Sequence, residues 1–314
     1  MTAPSLDRVR GALLGGAIGD MLGAPNEARN DTPVPVDSFD PALATITDDT
    51  QLTLVVGRAL VDGAGTIDEA RLGDLLVEWL PVAIGAGENT SAAVARLSAG
   101  FAPAESGLSS ASNGAAMRIA PVGLLHADPA VLVEQTRAAS WITHAHETAV
   151  SAAHLLASIV SWLARRTTVW SAVEMRRVAL DALVAFADPE LPRRDAHRGR
   201  SPTITLRGEL DEVLDNLHRS PEEWFGARYS GAFVPESLPA AMFCFLRSPD
   251  DPREAIRAAA EHTRDADTVA AMAGTMAGAW CGADRLPPGW ISWLPSERRQ
   301  DLERLAEELH ALAG

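Results

Sequence analysis

Two short segments far apart in the chain carry more oxygen donors than local structure requires. The first is Thr47-Asp48-Asp49-Thr50 and the second is Asp265-Ala266-Asp267-Thr268. Each stands at the start of an apolar stretch with helical character. An Asp or Thr there is a favoured N-cap and complements the helix dipole. Taken singly, capping accounts for either segment. One cap needs one side chain, however, and each segment brings two carboxylates as well as hydroxyls. Carboxylates this close repel one another unless a cation neutralises them. A donor set of oxygen alone suits a hard cation, Mg²⁺, Mn²⁺ or Ca²⁺, rather than zinc. If the segments converge, Asp48, Asp49, Asp265 and Asp267 with Thr47 and Thr268 can hold two ions. Two such ions roughly 3.5–4 Å apart can activate a water and orient a hydroxyl-bearing substrate. The spacing is not that of an EF-hand loop.

Other segments offer further polar groups. In Gly19-Asp20-Met21-Leu22-Gly23-Ala24-Pro25-Asn26-Glu27, turn formers put Glu27 on a loop, where it can meet water or a ligand. For Asp20, a structural hydrogen bond at a helix end and a direct role in the site stand about even. The run Ser109 to Pro121, with Ser112-Asn113-Gly114-Ala115 at its centre, can present backbone N–H groups to a phosphate. Thr143-His144-Ala145-His146 lacks the further soft ligands that zinc needs, so a polar contact or a helix-entry role is the plainer reading. Gly85-Ala86-Gly87-Glu88-Asn89-Thr90 reads as a glycine turn into a helix capped by Asn89 or Thr90.

These residues need a frame, and the frame reads as helical. Apolar periodicity marks helices over 9–18, 51–61, 69–80, 130–140, 147–164, 169–186, 206–217, 252–262, 268–282 and 296–312. No βαβ rhythm or fixed repeat is present. The glycines and alanines of 11–19 and 270–279 imply close backbone packing, because glycine costs about 0.5–1 kcal/mol in a helix interior. Residues 29–45 are Pro- and Asp-rich and irregular. Residues 187–205 carry the run Arg193-Arg194-Asp195-Ala196-His197-Arg198-Gly199-Arg200 and read as a mobile surface loop with a solvated face.

Composition narrows the chemistry. Of 314 residues, 42 are Asp or Glu against 27 basic residues, all of them Arg, for a net charge of −15. That charge argues against general nucleic-acid binding. Without lysine, Schiff-base chemistry and a P-loop lysine are excluded. The two cysteines, Cys244 and Cys281, cannot build a disulfide framework and read as small buried hydrophobes. No apolar run resembles a signal peptide or reaches a membrane-spanning length. The expectation is a cytoplasmic protein without a membrane or nucleic-acid partner, folded as one domain over 1–314.

Taken in order, the segments resemble the ADP-ribosylglycohydrolase family. The resemblance runs through Arg10-Gly11-Ala12-Leu13-Leu14-Gly15-Gly16-Ala17-Ile18-Gly19-Asp20, Gly23-Ala24-Pro25-Asn26-Glu27 and Thr47-Asp48-Asp49-Thr50-Gln51-Leu52-Thr53-Leu54. It continues in Asn113-Gly114-Ala115-Ala116-Met117-Arg118-Ile119-Ala120-Pro121, Thr143-His144 and Asp265-Ala266-Asp267-Thr268-Val269-Ala270-Ala271-Met272-Ala273-Gly274. The resemblance implies an all-α orthogonal multi-helix bundle with two magnesium ions, or manganese in their place. It implies Thr47, Asp48, Asp49, Asp265, Asp267 and Thr268 as metal ligands. Glu27, Asp48, Asp49 and Asp267 would serve catalysis. Ser112, Asn113, Gly114, Ala115 and His144 would hold ADP-ribose. The implied reaction is hydrolytic release of ADP-ribose from a protein side chain, arginine first. Serine-linked or small-molecule conjugates, and a non-catalytic ADP-ribose- or partner-binding role, are the alternatives. The family usually has Gly-Asn-Gly where this chain has Ser112-Asn113-Gly114. The one tyrosine, Tyr229, is the only residue of its type that could stack on adenine.

Overall fold

The computed structural model describes residues 2–27, 33–198 and 200–314. Its helices are α1 (Leu6–Gly23), α2 (Asp48–Asp62), α3 (Glu69–Trp79), α4 (Glu88–Ser98), α5 (Pro103–Ser106), α6 (Ala120–Leu125), α7 (Pro129–Trp141) and α8 (Glu147–Arg165). They continue as α9 (Ala172–Leu183), α10 (Leu206–Asp215), α11 (Pro221–Gly226), α12 (Val234–Arg247), α13 (Pro252–His262), α14 (Ala266–Cys281), α15 (Pro288–Trp293) and α16 (Ser296–Ala313). The protein is an all-α bundle, as its periodicity indicates.

Helices α1 and α14 form the central antiparallel pair. Gly11 faces Gly278 and Gly15 faces Gly274, so closely that a Cβ on either member would overlap the other's carbonyl oxygen. Gly19 against Ala270 and Gly23 against Ala266 continue the seam. The small residues therefore have a positional purpose. They bring the end of α1, with Asp20, beside the start of α14, with Asp265 and Asp267. Helices α12 and α13 cover α14, and α8 packs behind them in the core.

Helix α8 is long and apolar enough to cross a membrane by composition, with 89% of the relevant window buried inside the fold. That burial makes it a core helix, since a lipid-facing span would leave its apolar surface outward. Helix α12 is not among the helices expected from periodicity; Pro235 stands in its first turn, and Pro239 lies inside it. It is nonetheless buried on every side from Val234 to Leu246. Cys244 lies in its core, while Cys281 is partly exposed and donates its thiol to the Pro249 carbonyl at 3.3 Å.

The irregular stretch after α9 contains a short sheet and internal ion pairs. Leu191–Pro192 (β1) pairs antiparallel with Thr203–Ile204 (β2). The loop between them buries Arg193 and Asp195 while Arg194 and His197 stay exposed. Asp195 is 0% exposed and pairs with Arg200 at 3.0 Å, while Arg193 and Arg200 both reach Glu209, at 2.5 and 2.8 Å. Arg228 joins the network through Glu209 and Glu212. The Arg run is thus partly an internal brace. Gly199, and residues 28–32 of the Pro- and Asp-rich stretch, lie outside the described residues.

Candidate active site

The two acidic segments meet. Helix α2 begins at Asp48 and α14 at Ala266, so Asp48, Asp49 and Asp267 lie in first turns and Asp265 occupies an N-cap position. Asp265 makes no side-chain cap bond to its own helix. Capping therefore does not explain it. The Thr268 hydroxyl of one segment donates to Asp49 Oδ2 of the other at 3.1 Å. Carboxylate oxygens of Glu27, Asp265 and Asp267 all lie within 4.8 Å of one another.

Asp20 settles on the structural side. It is wholly buried at the end of α1 and accepts from both Thr47 and Thr50. The Thr47 N–H and hydroxyl approach at 3.0 and 2.8 Å, and the Thr50 N–H and hydroxyl at 3.1 and 2.5 Å. One carboxylate from another helix thus holds the first turn of α2, in the way a capping side chain would. The Thr47 hydroxyl hydrogen is directed to Asp20, which leaves an oxygen lone pair for a cation.

Electrostatics set the remaining carboxylates apart. Burial raises the Asp49 carboxyl well above its usual range, and the neighbouring Asp267 adds to the effect. Burial and then Asp265 do the same to Asp267. Asp48 is pushed up to about 7, chiefly by burial. Glu27 is raised by burial and by Asp265, and shares a hydrogen bond with Asp267. Asp49 Oδ1 is buried with no hydrogen-bond partner among the described residues. Crowded, desolvated carboxylates with an orphaned oxygen suit a cation, because only a positive charge or shared protons offset their repulsion.

Beside this cluster lies a cavity of about 260 Å³. Its walls include Glu27, Asp48, Ser112, Asn113, Gly114, His144, Asp265, Asp267 and Thr268. Asn113 works as a strut: its Nδ2 donates to Asp265 at 2.6 Å, and its N–H donates to the Ala232 carbonyl at 2.9 Å. His144 is buried, and burial followed by the Arg118 charge pushes it down to about 3. Its ring packs so near Gly114 that a Cβ there would come within 2.8 Å of Cε1. Ala115 has its side chain buried in the core, so only its backbone could face a ligand.

One wall of the cavity was not expected from the sequence. Gly85, Gly87, Asn89 and Thr90 line the cavity. Gly87, not Asn89 or Thr90, is the N-cap of α4 and makes no side-chain bond. Gly85 takes a φ of +77°, favouring glycine, and the turn lets the Gly87 N–H reach Asp48 Oδ2 at 3.3 Å. The signal was the Gly-x-Gly turn itself. Asn89 instead donates to Ser112 Oγ at 3.3 Å. His146 does enter a helix, capping α8 through Nδ1. Tyr229 lies outside this cavity, with the Arg264 guanidinium 5.4 Å from its ring centroid.

Comparison with known proteins agrees with this architecture. An ADP-ribosyl-(dinitrogen reductase) glycohydrolase of Rhodospirillum rubrum is 29% identical over 100% of this chain and 99% of its own length. The ADP-ribosylhydrolase ARH3 of Danio rerio is 26% identical, over 98% and 92%. A solved structure described as an ADP-ribosylglycohydrolase-related protein complex superposes with a TM-score of 0.71 at 27% identity, covering 98% of this chain and 99% of that one. The family model for ADP-ribosylglycohydrolase matches residues 1–314. With both acidic segments joined in one cluster and the match running end to end, the chain belongs to the ADP-ribosylglycohydrolase family.

Proposed function

We propose that the protein is a metal-dependent hydrolase that releases ADP-ribose from a modified protein side chain, with arginine as the preferred linkage. The observation that carries this reading is the Thr268–Asp49 contact, which merges the two acidic segments beside a cavity large enough to admit part of a nucleotide. Because the site draws on residues from Glu27 to Thr268, we also take the chain as one domain.

The residues present fit a pair of hard cations. Thr47, Asp48, Asp49, Asp265, Asp267 and Thr268 would hold them, as an all-oxygen donor set suited to magnesium or manganese. Bound there, the ions would supply Lewis acidity and a lowered water pKa. The chain's own residues do the rest. Asp20 fixes the first turn of α2, and Asn113 ties the ligand loop to Asp265. Glu27, at the mouth and with a raised pKa, can take a proton from water or return one to the leaving group. Ser112, Gly114 and His144 form the wall against which ADP-ribose would lie. Glu27, an exposed carboxylate of the cavity that is not assigned to the ions, supports a cationic guanidinium as leaving group.

The test is release of ADP-ribose from arginine-linked and serine-linked ADP-ribosyl protein, with magnesium and with EDTA. Faster release from the arginine linkage, abolished by EDTA and by Asp48→Ala, is expected. Faster release from the serine linkage would replace arginine with serine. Retained ADP-ribose binding with no release from either would leave a binding protein.

A further inference from the structure

We propose that Arg118 is a positioning residue that sets the direction of a hydrogen-bond relay through Thr143 and His144, so that Ser112 meets the ligand only as a donor. The ligand side of the proposal rests on reading the cavity as an ADP-ribose site. The relay itself rests on geometry alone.

Arg118 is wholly buried, and its Nη2 donates to Thr143 Oγ1 at 2.6 Å and to the Ala139 carbonyl at 3.0 Å. A guanidinium cannot accept, so Thr143 Oγ1 is the acceptor there. The Thr143 hydroxyl must then place its own hydrogen. His144 Nδ1 lies 2.8 Å away, while the Ser140 carbonyl is at 3.5 Å and already accepts the His144 N–H at 2.9 Å. The shorter contact assigns the hydrogen to Nδ1. A neutral imidazole that accepts at Nδ1 carries its proton on Nε2.

His144 Nε2 therefore donates to Ser112 Oγ, 2.9 Å away. Asn89 Nδ2 and the Ser110 hydroxyl donate to the same oxygen at 3.3 and 3.2 Å. Both lone pairs of that hydroxyl are filled. What Ser112 has left for a ligand is its own hydrogen. The atom opposite it must be an acceptor without a hydrogen, such as a phosphate oxygen, and not a hydroxyl that needs to donate. Gly114 belongs to the device, because a Cβ there would push the imidazole away from Ser112. The buried cation thus specifies, two residues removed, which chemical group the cavity wall accepts.

The test reads the tautomer directly, by long-range ¹H–¹⁵N correlation of the histidine rings at neutral pH. His144→Gln assigns the signal. The wild type is expected to show His144 protonated at Nε2 alone. Thr143→Val removes the relay hydroxyl and should populate the Nδ1–H form and weaken ADP-ribose binding about tenfold. Thr143→Ser should restore both. A wild-type His144 protonated at Nδ1, or a Thr143→Val spectrum with the tautomer unchanged, would overturn the relay. If Thr143→Val fails to fold, the wild-type and Thr143→Ser spectra still decide. A wild type with Nε2–H that binds no ADP-ribose supports the relay and contradicts the proposed function instead.

Discussion

Thr268 and Asp49 share a hydrogen bond of 3.1 Å although 219 positions separate them in the chain. This contact turns two ordinary helix starts into one cluster. It exists because α1 and α14 approach through glycine, and because Asp20 holds α2 against the end of α1.

Anchoring and ligating carboxylates should respond oppositely to substitution. Asp20→Ala leaves two N–H groups and two hydroxyls of the α2 turn without their acceptor. It should destabilise the protein by about 2–4 kcal/mol already in EDTA, and magnesium should stabilise it less than it does the wild type, because the turn that carries Thr47, Asp48 and Asp49 loosens. Asp49→Asn removes one of several crowded negative charges. The metal-free protein should then be unchanged or about 1 kcal/mol more stable, with magnesium no longer raising its melting temperature. Thermal unfolding of both variants in each buffer checks this.

The glycine seam should be sensitive at its contacts only. Gly15→Ala places a methyl on the Gly274 carbonyl and should cost about 2–3 kcal/mol or more. Gly289→Ala, exposed and with nothing near its missing Cβ, should be neutral or stabilising by up to about 1 kcal/mol. Chemical denaturation of the pair separates close approach from a general effect of glycine.

Much of this was legible in sequence, and the misses have physical reasons. Helical periodicity located α13 over Pro252–His262, whose apolar face is narrow and regular. It missed α12, which carries Pro239 inside it and is buried on all sides rather than along one face. The acidic segments were legible because they exceed capping need. The Gly85–Thr90 wall was not, since its contribution is backbone geometry. Asp195 was misread with its Arg neighbours, for a charge run does not reveal which of its members have partners inside.

The brace in 187–205 should matter for the site. Asp195 Oδ2 accepts the Tyr229 N–H at 3.0 Å, and Ser230 in turn accepts the N–H groups of Arg264 and Asp265 at 3.0 Å each. Asp195→Ala should destabilise the fold by about 3–5 kcal/mol, as breaking a buried ion pair does. Asp195→Asn, which can keep the Tyr229 bond, should lose less. Manganese affinity should fall with the first variant more than with the second, measured by equilibrium dialysis on folded protein.

Glu236 gives the stability a pH dependence. Both its carboxylate oxygens are buried without a hydrogen-bond partner among the described residues, and burial pushes it up to about 7, against the lowering influence of Arg194. The native state therefore binds more protons than the unfolded state between the usual carboxylate value and about 7. Stability from this group is full at the acid end and lost as pH rises through that window. Partial solvent screening limits the effect to about 1–2 kcal/mol. Glu236→Gln should raise stability at pH 8 relative to wild type and flatten the dependence between pH 5 and 8, by urea unfolding.

The most direct measurement is the number of manganese ions bound per chain, read by electron paramagnetic resonance on wild type, Asp49→Ala and Asp267→Ala. If the two segments form one centre, wild type binds two ions, and either substitution alone weakens both. Two ions of which each substitution removes one, with the other unaffected, would mean separate sites and contradict the account. So would full binding after loss of either carboxylate.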